Sequence, residues 1–236
     1  MRSFLLLIIL SVILNSSSRQ LFSQSDDVLR WEEDIRKFEH LDSTEIYPGD
    51  AILFVGSSSI RLWSTLAQDM EPFEVIQRGY GGAKLSDLTV FIERIIFPHP
   101  ARAIVLFVAN DITGQDEDKS AEEVERLFRE LMAKIRRKYP ETPVFWIATT
   151  PTPLRWPVWP EIASANNRIE NACKEYENTC FIRTDSAFLD KTDRPVMELF
   201  QTDSLHLNTQ GYAVWKKIIK GELERVLCGN NAPVLP

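Results

Sequence analysis

Three consecutive serines, Ser57, Ser58 and Ser59, follow an apolar segment in the stretch DAILFVGSSSIRLW. A serine hydroxyl becomes a nucleophile when a base, usually a histidine, takes its proton, and a carboxylate commonly orients that histidine. Serines at such a point could equally cap a helix or bind a phosphate. The histidines and carboxylates elsewhere in the chain must therefore decide between these interpretations.

His206 is the histidine with the most suggestive neighbour, because Asp203 lies three residues before it. Side chains at this spacing can share one side of a turn, so the carboxylate can reach one imidazole nitrogen and leave the other free. A triad in the chain order Ser, Asp, His is therefore available. Alternatively, Asp203 caps the next turn and His206 is an ordinary polar residue. The other two histidines, His40 among charged residues and His99 between two prolines, are expected at the surface.

Acyl transfer also needs hydrogen-bond donors for the oxygen that becomes negatively charged. A backbone N–H near Ser58 can supply one, and Gly81 or Gly82 can expose another because no side chain blocks the approach. Asn110 can add a side-chain amide. Simpler interpretations remain open, since paired glycines often form turns and Asn-Asp after a strand often forms an Asx turn.

The segments that must position these residues alternate between apolar runs of strand length and helix-like stretches. We predict strands at 51–55, 73–76, 103–108, 143–148 and 180–183, and helices at 28–41, 84–96, 121–139, 162–176 and 209–227. Nearly continuous apolar runs are typical of strands covered on both faces. The pattern predicts an α/β protein, a three-layer α/β/α sandwich with a central parallel sheet of about five strands. Sites in such sheets lie at the carboxyl ends of the strands.

Four of the loops expected at that edge read VGSSSI, RGYGGAKLSDL, FVANDI and DSLHLN. In this order they resemble the conserved blocks of the SGNH hydrolases, also called the GDSL-like lipase/acylhydrolase family. Those blocks carry Gly-Asp-Ser, a glycine, Gly-x-Asn-Asp and Asp-x-x-His. The resemblance spans residues 51–212 and implies the flavodoxin-like SGNH hydrolase fold and a serine esterase.

The resemblance assigns a role to each matching residue. It implies that Ser58 is the nucleophile, His206 the base and Asp203 the group that orients the base. The implied oxyanion donors are the Ser58 backbone N–H, Gly82 and the Asn110 amide. No cofactor and no metal ion is implied.

Two departures from the family pattern bear on these roles. Ser57 stands where the family has aspartate, and Val108 or Ala109 stands where it has glycine. We expect Ser57 and Ser59 to cap the helix, since serine is a favoured cap. The second change is expected to narrow or reshape the oxyanion side of the pocket.

The loop TTPTPLRWPVWPE after the fourth predicted strand is the candidate substrate-binding segment. Prolines stiffen it, and Trp156 and Trp159 could stack on sugar rings or line an acyl pocket. Arg155 could bind a carboxylate or lie on a ring, and Tyr80 is a second candidate for the pocket wall. Alternatively, the two tryptophans cover the edge of the sheet as part of the core.

The N-terminus has the features of a secretory signal peptide, with Arg2, an apolar run over 4–14 and then serines. That run is shorter than the roughly 20 residues of a membrane span. We predict a signal peptide at 1–24, an esterase domain at 25–236, and an exported protein, periplasmic or secreted, without stable membrane insertion after cleavage. An uncleaved anchor is the alternative. Cys173 and Cys180 could form a disulfide or remain free thiols.

The bulk composition limits the possible partners. The chain has 236 residues and a formal net charge of -7, which suits one acidic globular domain and argues against a nucleic-acid-binding protein. No cysteine–histidine spacing indicates zinc. We expect a small-molecule or carbohydrate ester as substrate. The competing interpretations are a non-catalytic module that binds an anion through the serine loop and an inactive relative that binds a glycan through its tryptophans.

Overall fold

A parallel five-stranded sheet forms the centre of the computed structural model, which describes residues 29–229. The strands lie in the order β2-β1-β3-β4-β5. Their bounds are β1 Ile52–Gly56, β2 Val75–Gly79, β3 Ala103–Phe107, β4 Val144–Ile147 and β5 Thr179–Ile182. The helices are α1 Glu32–Thr44, α2 Ser58–Arg61, α3 Leu66–Met70, α4 Leu85–Ile95, α5 Ala121–Lys138, α6 Trp159–Cys173 and α7 Thr209–Leu227.

The helices cover both faces of the sheet, and each face has its own hydrophobic core. Helices α1, α4, α5 and α6 pack on one face, and α2, α3 and α7 pack on the other. Within β1, Leu53 and Val55 enter the first core, while Ile52 and Phe54 enter the second. This double burial explains the continuous apolar runs, and the predicted three-layer α/β/α architecture is confirmed.

Strand β2 lies later in the chain than the sequence indicated, because it contains two polar residues. Gln77 donates from Nε2 to the Trp63 carbonyl at 3.2 Å, in the segment that follows α2. Arg78 is 2% exposed, and its guanidinium binds the carboxylate of Asp42 on α1. Each of these polar side chains thus has a hydrogen-bond partner, so the strand extends through them to Gly79.

The structure corrects one expectation for the histidines and answers the question about the cysteines. His40 is exposed, as predicted, but His99 is only 4% exposed. Its Nε2 lies 3.5 Å from Asp42 Oδ2, so the surface prediction for His99 was wrong. Cys173 and Cys180 are free thiols, and burial raises the pKa of Cys173 to about 12.

The predicted signal peptide, residues 1–24, lies outside the described residues. Between residues 29 and 229, no helix has the length and apolar character needed to cross a membrane.

Candidate active site

The turn between β1 and α2 brings Ser58 to the carboxyl edge of the sheet. Gly56 ends β1 so close to β3 that a Cβ atom there would lie 1.9 Å from the Phe107 carbonyl oxygen. Only glycine fits this position without a backbone shift. Ser57 then donates its N–H to Phe107 O at 2.9 Å, and its own carbonyl accepts from Ile60 N at 3.0 Å. Ser58 is therefore fixed as the first residue of α2.

The prediction that Ser57 and Ser59 cap this helix is confirmed only for the position of Ser57. Ser57 occupies the N-cap position with an extended backbone, but its side chain makes no capping hydrogen bond. Ser59 lies inside α2, and its carbonyl accepts a hydrogen bond from the Tyr212 hydroxyl of α7 at 2.9 Å. That contact attaches the serine turn to the helix that follows the Asp203–His206 segment.

Asp203 and His206 come to Ser58 on the loop before α7. His206 Nε2 lies 2.9 Å from Ser58 Oγ, and His206 Nδ1 lies 2.6 Å from Asp203 Oδ2. Asn208 fixes the end of this loop, because its side chain accepts from Gln210 N at 2.9 Å and so caps α7. The structure therefore brings the three residues into one chain of hydrogen bonds across 148 positions of sequence.

The carboxylate of Asp203 has two separate tasks. Its Oδ1 accepts the backbone N–H groups of Leu205 and His206, both at 2.9 Å, while Oδ2 contacts the imidazole. The turn-capping alternative and the imidazole contact thus occur together. Partial burial acts to raise the pKa of Asp203, but the hydrogen bonds from His206 and Leu205 outweigh it and lower that pKa. An ionised Asp203 favours the tautomer with the proton on Nδ1, which leaves Nε2 free to accept a proton.

Ser58 and His206 line a small cleft at the carboxyl ends of β1, β3 and β4. Thr149, Thr150 and Thr152 line it as well. Thr150 is a residue that the sequence analysis missed, and its buried hydroxyl has no hydrogen-bond partner among the described residues. The signal was the stretch TTPTP directly after β4, in the loop whose prolines, Arg155 and tryptophans the sequence singled out.

Of the predicted oxyanion donors, Ser58 and Asn110 line the cleft, whereas the glycine pair does not. Asn110 Nδ2 donates to the Ala83 carbonyl at 3.0 Å. Gly82, next to Ala83, has φ +73°, a backbone conformation that favours glycine, and a Cβ there would lie 3.1 Å from the Trp31 ring. Neither Gly82 nor Gly81 is among the residues that line the cleft.

The predicted substrate-binding residues separate into three locations. Arg155 lines the cleft. Tyr80 does not, because its side chain is 1% exposed and its ring packs 5.5 Å from that of Trp31, so it belongs to the core. Trp156 and Trp159 are half-buried outside the cleft lining, with their rings stacked at 6.1 Å and an interplanar angle of 14°.

The part of the chain that the structure describes contains no candidate metal site. Across residues 29–229, no group of three histidine, cysteine, aspartate or glutamate side chains could hold a metal ion.

Comparisons with solved structures identify the fold. A protein from Streptococcus pneumonia, provisionally described as a platelet activating factor, has a TM-score of 0.73 and 21% identity over 88% of this chain and 99% of that chain. A GDSL-like lipase from Bacteroides thetaiotaomicron has a TM-score of 0.68 and 15% identity, over 81% and 97%. A catalytic mutant of an acetylxylan esterase from Geobacillus stearothermophilus has a TM-score of 0.64 and 14% identity, over 79% and 99%.

Sequence comparison identifies the family. No curated protein sequence matches the chain significantly. The profile of the GDSL-like Lipase/Acylhydrolase family matches residues 48–214, a span that holds all four blocks noted in the sequence. The match confirms the resemblance on which the fold and activity were predicted. The chain therefore belongs to the GDSL-like lipase/acylhydrolase family of ester-hydrolysing enzymes.

Proposed function

We propose that the protein hydrolyses carboxylic esters through an acyl-enzyme on Ser58. The observation that carries this proposal is the chain of hydrogen bonds from Ser58 Oγ to His206 Nε2, at 2.9 Å, and from His206 Nδ1 to Asp203 Oδ2, at 2.6 Å. A serine, a histidine and a carboxylate in this arrangement are the parts that nucleophilic acyl transfer requires.

The first half of the reaction forms the acyl-enzyme. Ser58 Oγ attacks the ester carbonyl carbon while His206 Nε2 takes the hydroxyl proton, and the negative charge of Asp203 stabilises the resulting imidazolium. The carbonyl oxygen becomes an oxyanion and accepts hydrogen bonds from the Ser58 backbone N–H and the Asn110 amide, with Gly82 as the third donor that the family pattern implies. The bond to the alcohol oxygen then breaks, and His206 gives its proton to that oxygen.

The second half returns the enzyme to its starting state. A water molecule takes the place of the alcohol, and His206 Nε2 removes its proton as the water oxygen attacks the acyl carbon. The same donors hold the second oxyanion. When the bond to Ser58 Oγ breaks, His206 returns the proton to the serine and the carboxylic acid leaves.

We further propose that the substrate is an O-acetylated carbohydrate. Trp156 and Trp159, the first residue of α6, stack in parallel a few residues after Arg155, which lines the cleft, and flat aromatic faces suit sugar rings. One of the structural neighbours is an acetylxylan esterase, which is consistent with this substrate class. The predicted signal peptide would bring the enzyme to polysaccharides outside the cytoplasm.

The alternative of a non-catalytic module that binds an anion or a glycan would not need the contact between Ser58 and His206. Hydrolysis of p-nitrophenyl acetate by the wild type, Ser58→Ala and His206→Ala separates the two. We expect turnover by the wild type and its loss in both variants. Equal background rates in all three proteins would contradict the esterase proposal for activated esters.

Acetate release from acetylated xylan and from peptidoglycan fragments tests the substrate class. We expect release from at least one of them by the wild type. Replacing Trp156 and Trp159 by alanine should lower kcat/KM on the polymer about 10-fold more than on p-nitrophenyl acetate, because only the polymer carries sugar rings to stack. No release from either polymer would argue against a carbohydrate substrate.

Export is a proposal as well, and it rests on the sequence of residues 1–24 alone. Fusion of that segment to a reporter enzyme that is active only outside the cytoplasm tests it. Activity of the fusion would support export, and an inactive fusion would contradict it.

A further inference from the structure

Arg155 is a buried cation without a carboxylate bound to it. It is 8% exposed, and its guanidinium hydrogen-bonds a carbonyl and an amide oxygen rather than any carboxylate of the described residues. Burial lowers the pKa of its guanidinium, and the more distant charge of Asp118 only opposes this. Burying a charge without a paired counter-ion is costly, so a compensating role near the cleft is expected.

The guanidinium of Arg155, which lines the cleft, hydrogen-bonds the loop that follows β3. Nη1 donates to the Ala109 carbonyl, and Nη2 donates to Asn110 Oδ1 at 2.7 Å. The sequence had suggested that Arg155 binds a carboxylate of the substrate. Because these two hydrogen bonds already direct Nη1 and Nη2 at the loop, a role in positioning the loop fits the geometry better.

These contacts allow the Asn110 amide only one orientation. A guanidinium can only donate, so the atom that faces Arg155 must be the amide oxygen. A carbonyl can only accept, so the atom that faces the Ala83 oxygen, at 3.0 Å, must be the amide nitrogen. One of the two Nδ2 hydrogens is thereby used and the other is left for a ligand. Asn110 and Arg155 both line the cleft that holds Ser58 and His206.

We propose that Arg155 is a positioning residue for ester hydrolysis, which holds the Asn110 amide with its free N–H towards the oxyanion and polarises that amide with its positive charge. The inference rests on the proposed esterase function. A hydrogen bond from a cation to the amide oxygen draws electron density from the amide nitrogen and makes its remaining N–H a stronger donor. The effect belongs to the transition state, where the charge develops, and not to substrate binding.

The first experiment compares steady-state hydrolysis of p-nitrophenyl acetate by the wild type, Arg155→Lys and Arg155→Met. Removing one oxyanion donor from an esterolytic site costs about 100- to 1000-fold in kcat. We expect a loss of about 10- to 100-fold in kcat for Arg155→Met, since Asn110 remains but is no longer held, with KM changed by less than about threefold. Lysine lacks the planar fork and should restore little of this activity.

The second experiment tests whether Arg155 acts through Asn110. We expect Asn110→Ala combined with Arg155→Met to be no slower than Asn110→Ala alone, because the arginine then has no amide to hold. Losses that multiply in the double variant would mean that Arg155 acts independently, which would overturn the proposal.

Arg136 provides the matched control for a merely structural arginine. It also donates to backbone carbonyls, those of Tyr139, Thr142 and Asn178, and burial also lowers its pKa. It lies at the other end of the sheet, before β4 and β5. Arg136→Met should lower the thermal midpoint but leave kcat per folded molecule within about twofold.

The outcomes distinguish a failure of the proposed role of Arg155 from a failure of the proposed esterase function. An active wild type, with kcat of Arg155→Met within about twofold of it, would overturn the role of Arg155 alone. A rise in KM at constant kcat would also overturn it, because that result indicates substrate binding. A wild type without esterase activity would overturn both proposals.

Discussion

Two histidine–aspartate pairs lie in the described part of the chain, and the groups around them differ. His206 contacts Asp203 at 2.6 Å, and its side chain is 22% exposed and faces the hydroxyl of Ser58. His99 lies 3.5 Å from Asp42, is buried, and shares that carboxylate with Arg78. The same two residue types therefore occur beside a serine hydroxyl, where we propose proton transfer, and in a buried contact that serves packing.

The residue that contacts each histidine–aspartate pair, Arg78 in one case and Ser58 in the other, determines what the pair can do. In the His99 pair, Arg78 is a permanent cation and binds Asp42 directly, with its guanidinium 5.0 Å from the Tyr47 ring. The Asp42 carboxylate thus holds α1 against β2 through its contact with Arg78. In the His206 pair, the imidazole nitrogen opposite the carboxylate faces a neutral hydroxyl that can lose a proton. A histidine–aspartate contact by itself therefore does not identify a catalytic site.

Replacing the two histidines gives the largest expected contrast. His206→Ala should reduce kcat on p-nitrophenyl acetate by about 10⁴-fold or more, because no other base among residues 29–229 contacts Ser58 Oγ to take its proton. His99→Gln should leave kcat per folded molecule unchanged. Initial rates, corrected for the folded fraction measured by circular dichroism, check both. A comparable loss of kcat in the two variants would contradict the assignment of different roles to His206 and His99.

Replacing the two aspartates sharpens the comparison on a smaller scale. Asp203→Ala should cost about 10²- to 10⁴-fold in kcat with little change in stability, since its hydrogen bonds lie at a partly exposed loop. Asp42→Asn should leave kcat unchanged but lower the free energy of unfolding by about 3 kcal/mol, because it leaves the buried Arg78 cation unpaired. Urea unfolding measures the second effect. A stable Asp42→Asn protein would contradict the structural role of that pair.

The smallest expected effect is on the pH dependence of stability. Burial lowers the pKa of His99 below its ordinary value of 6.5, the charge of Arg78 adds to this, and Asp42 opposes it. Below pH 6.5 the unfolded chain therefore binds a proton that the folded chain does not. Stability contributed by neutral His99 is present above this pH and is lost as the pH falls. The free energy of unfolding of the wild type should drop more steeply than that of His99→Gln between about pH 6.5 and pH 5. Parallel curves would contradict the assignment.

The sequence predicts best the elements whose burial shows as a hydrophobic pattern within the segment itself. The runs that became β1, β3 and β4 are apolar throughout because both faces of these strands are covered, and α5 has its apolar residues on one side. Strand β2 was displaced in the prediction because Arg78 looks incompatible with a buried strand. Its partner Asp42 comes from α1, and no local pattern reveals that pairing.

The candidate site follows the same rule. Asp203 and His206 are three residues apart, so their contact could be inferred locally, whereas the contact of His206 with Ser58 required the order of the family blocks. The prediction for Tyr80 was wrong because its glycine neighbours indicate an exposed loop. Its ring instead packs against Trp31, on the face of the sheet that α1 covers. The contact between Arg155 and Asn110 spans 45 positions and has no signature in the sequence.

Covalent labelling of the native protein with a fluorophosphonate, mapped by mass spectrometry, tests the central claim most directly. The account predicts a single adduct on Ser58, with labelling slowed strongly in His206→Ala and unaffected in His99→Gln. An adduct on another residue, or ester hydrolysis by a protein whose Ser58 stays unlabelled, would contradict it.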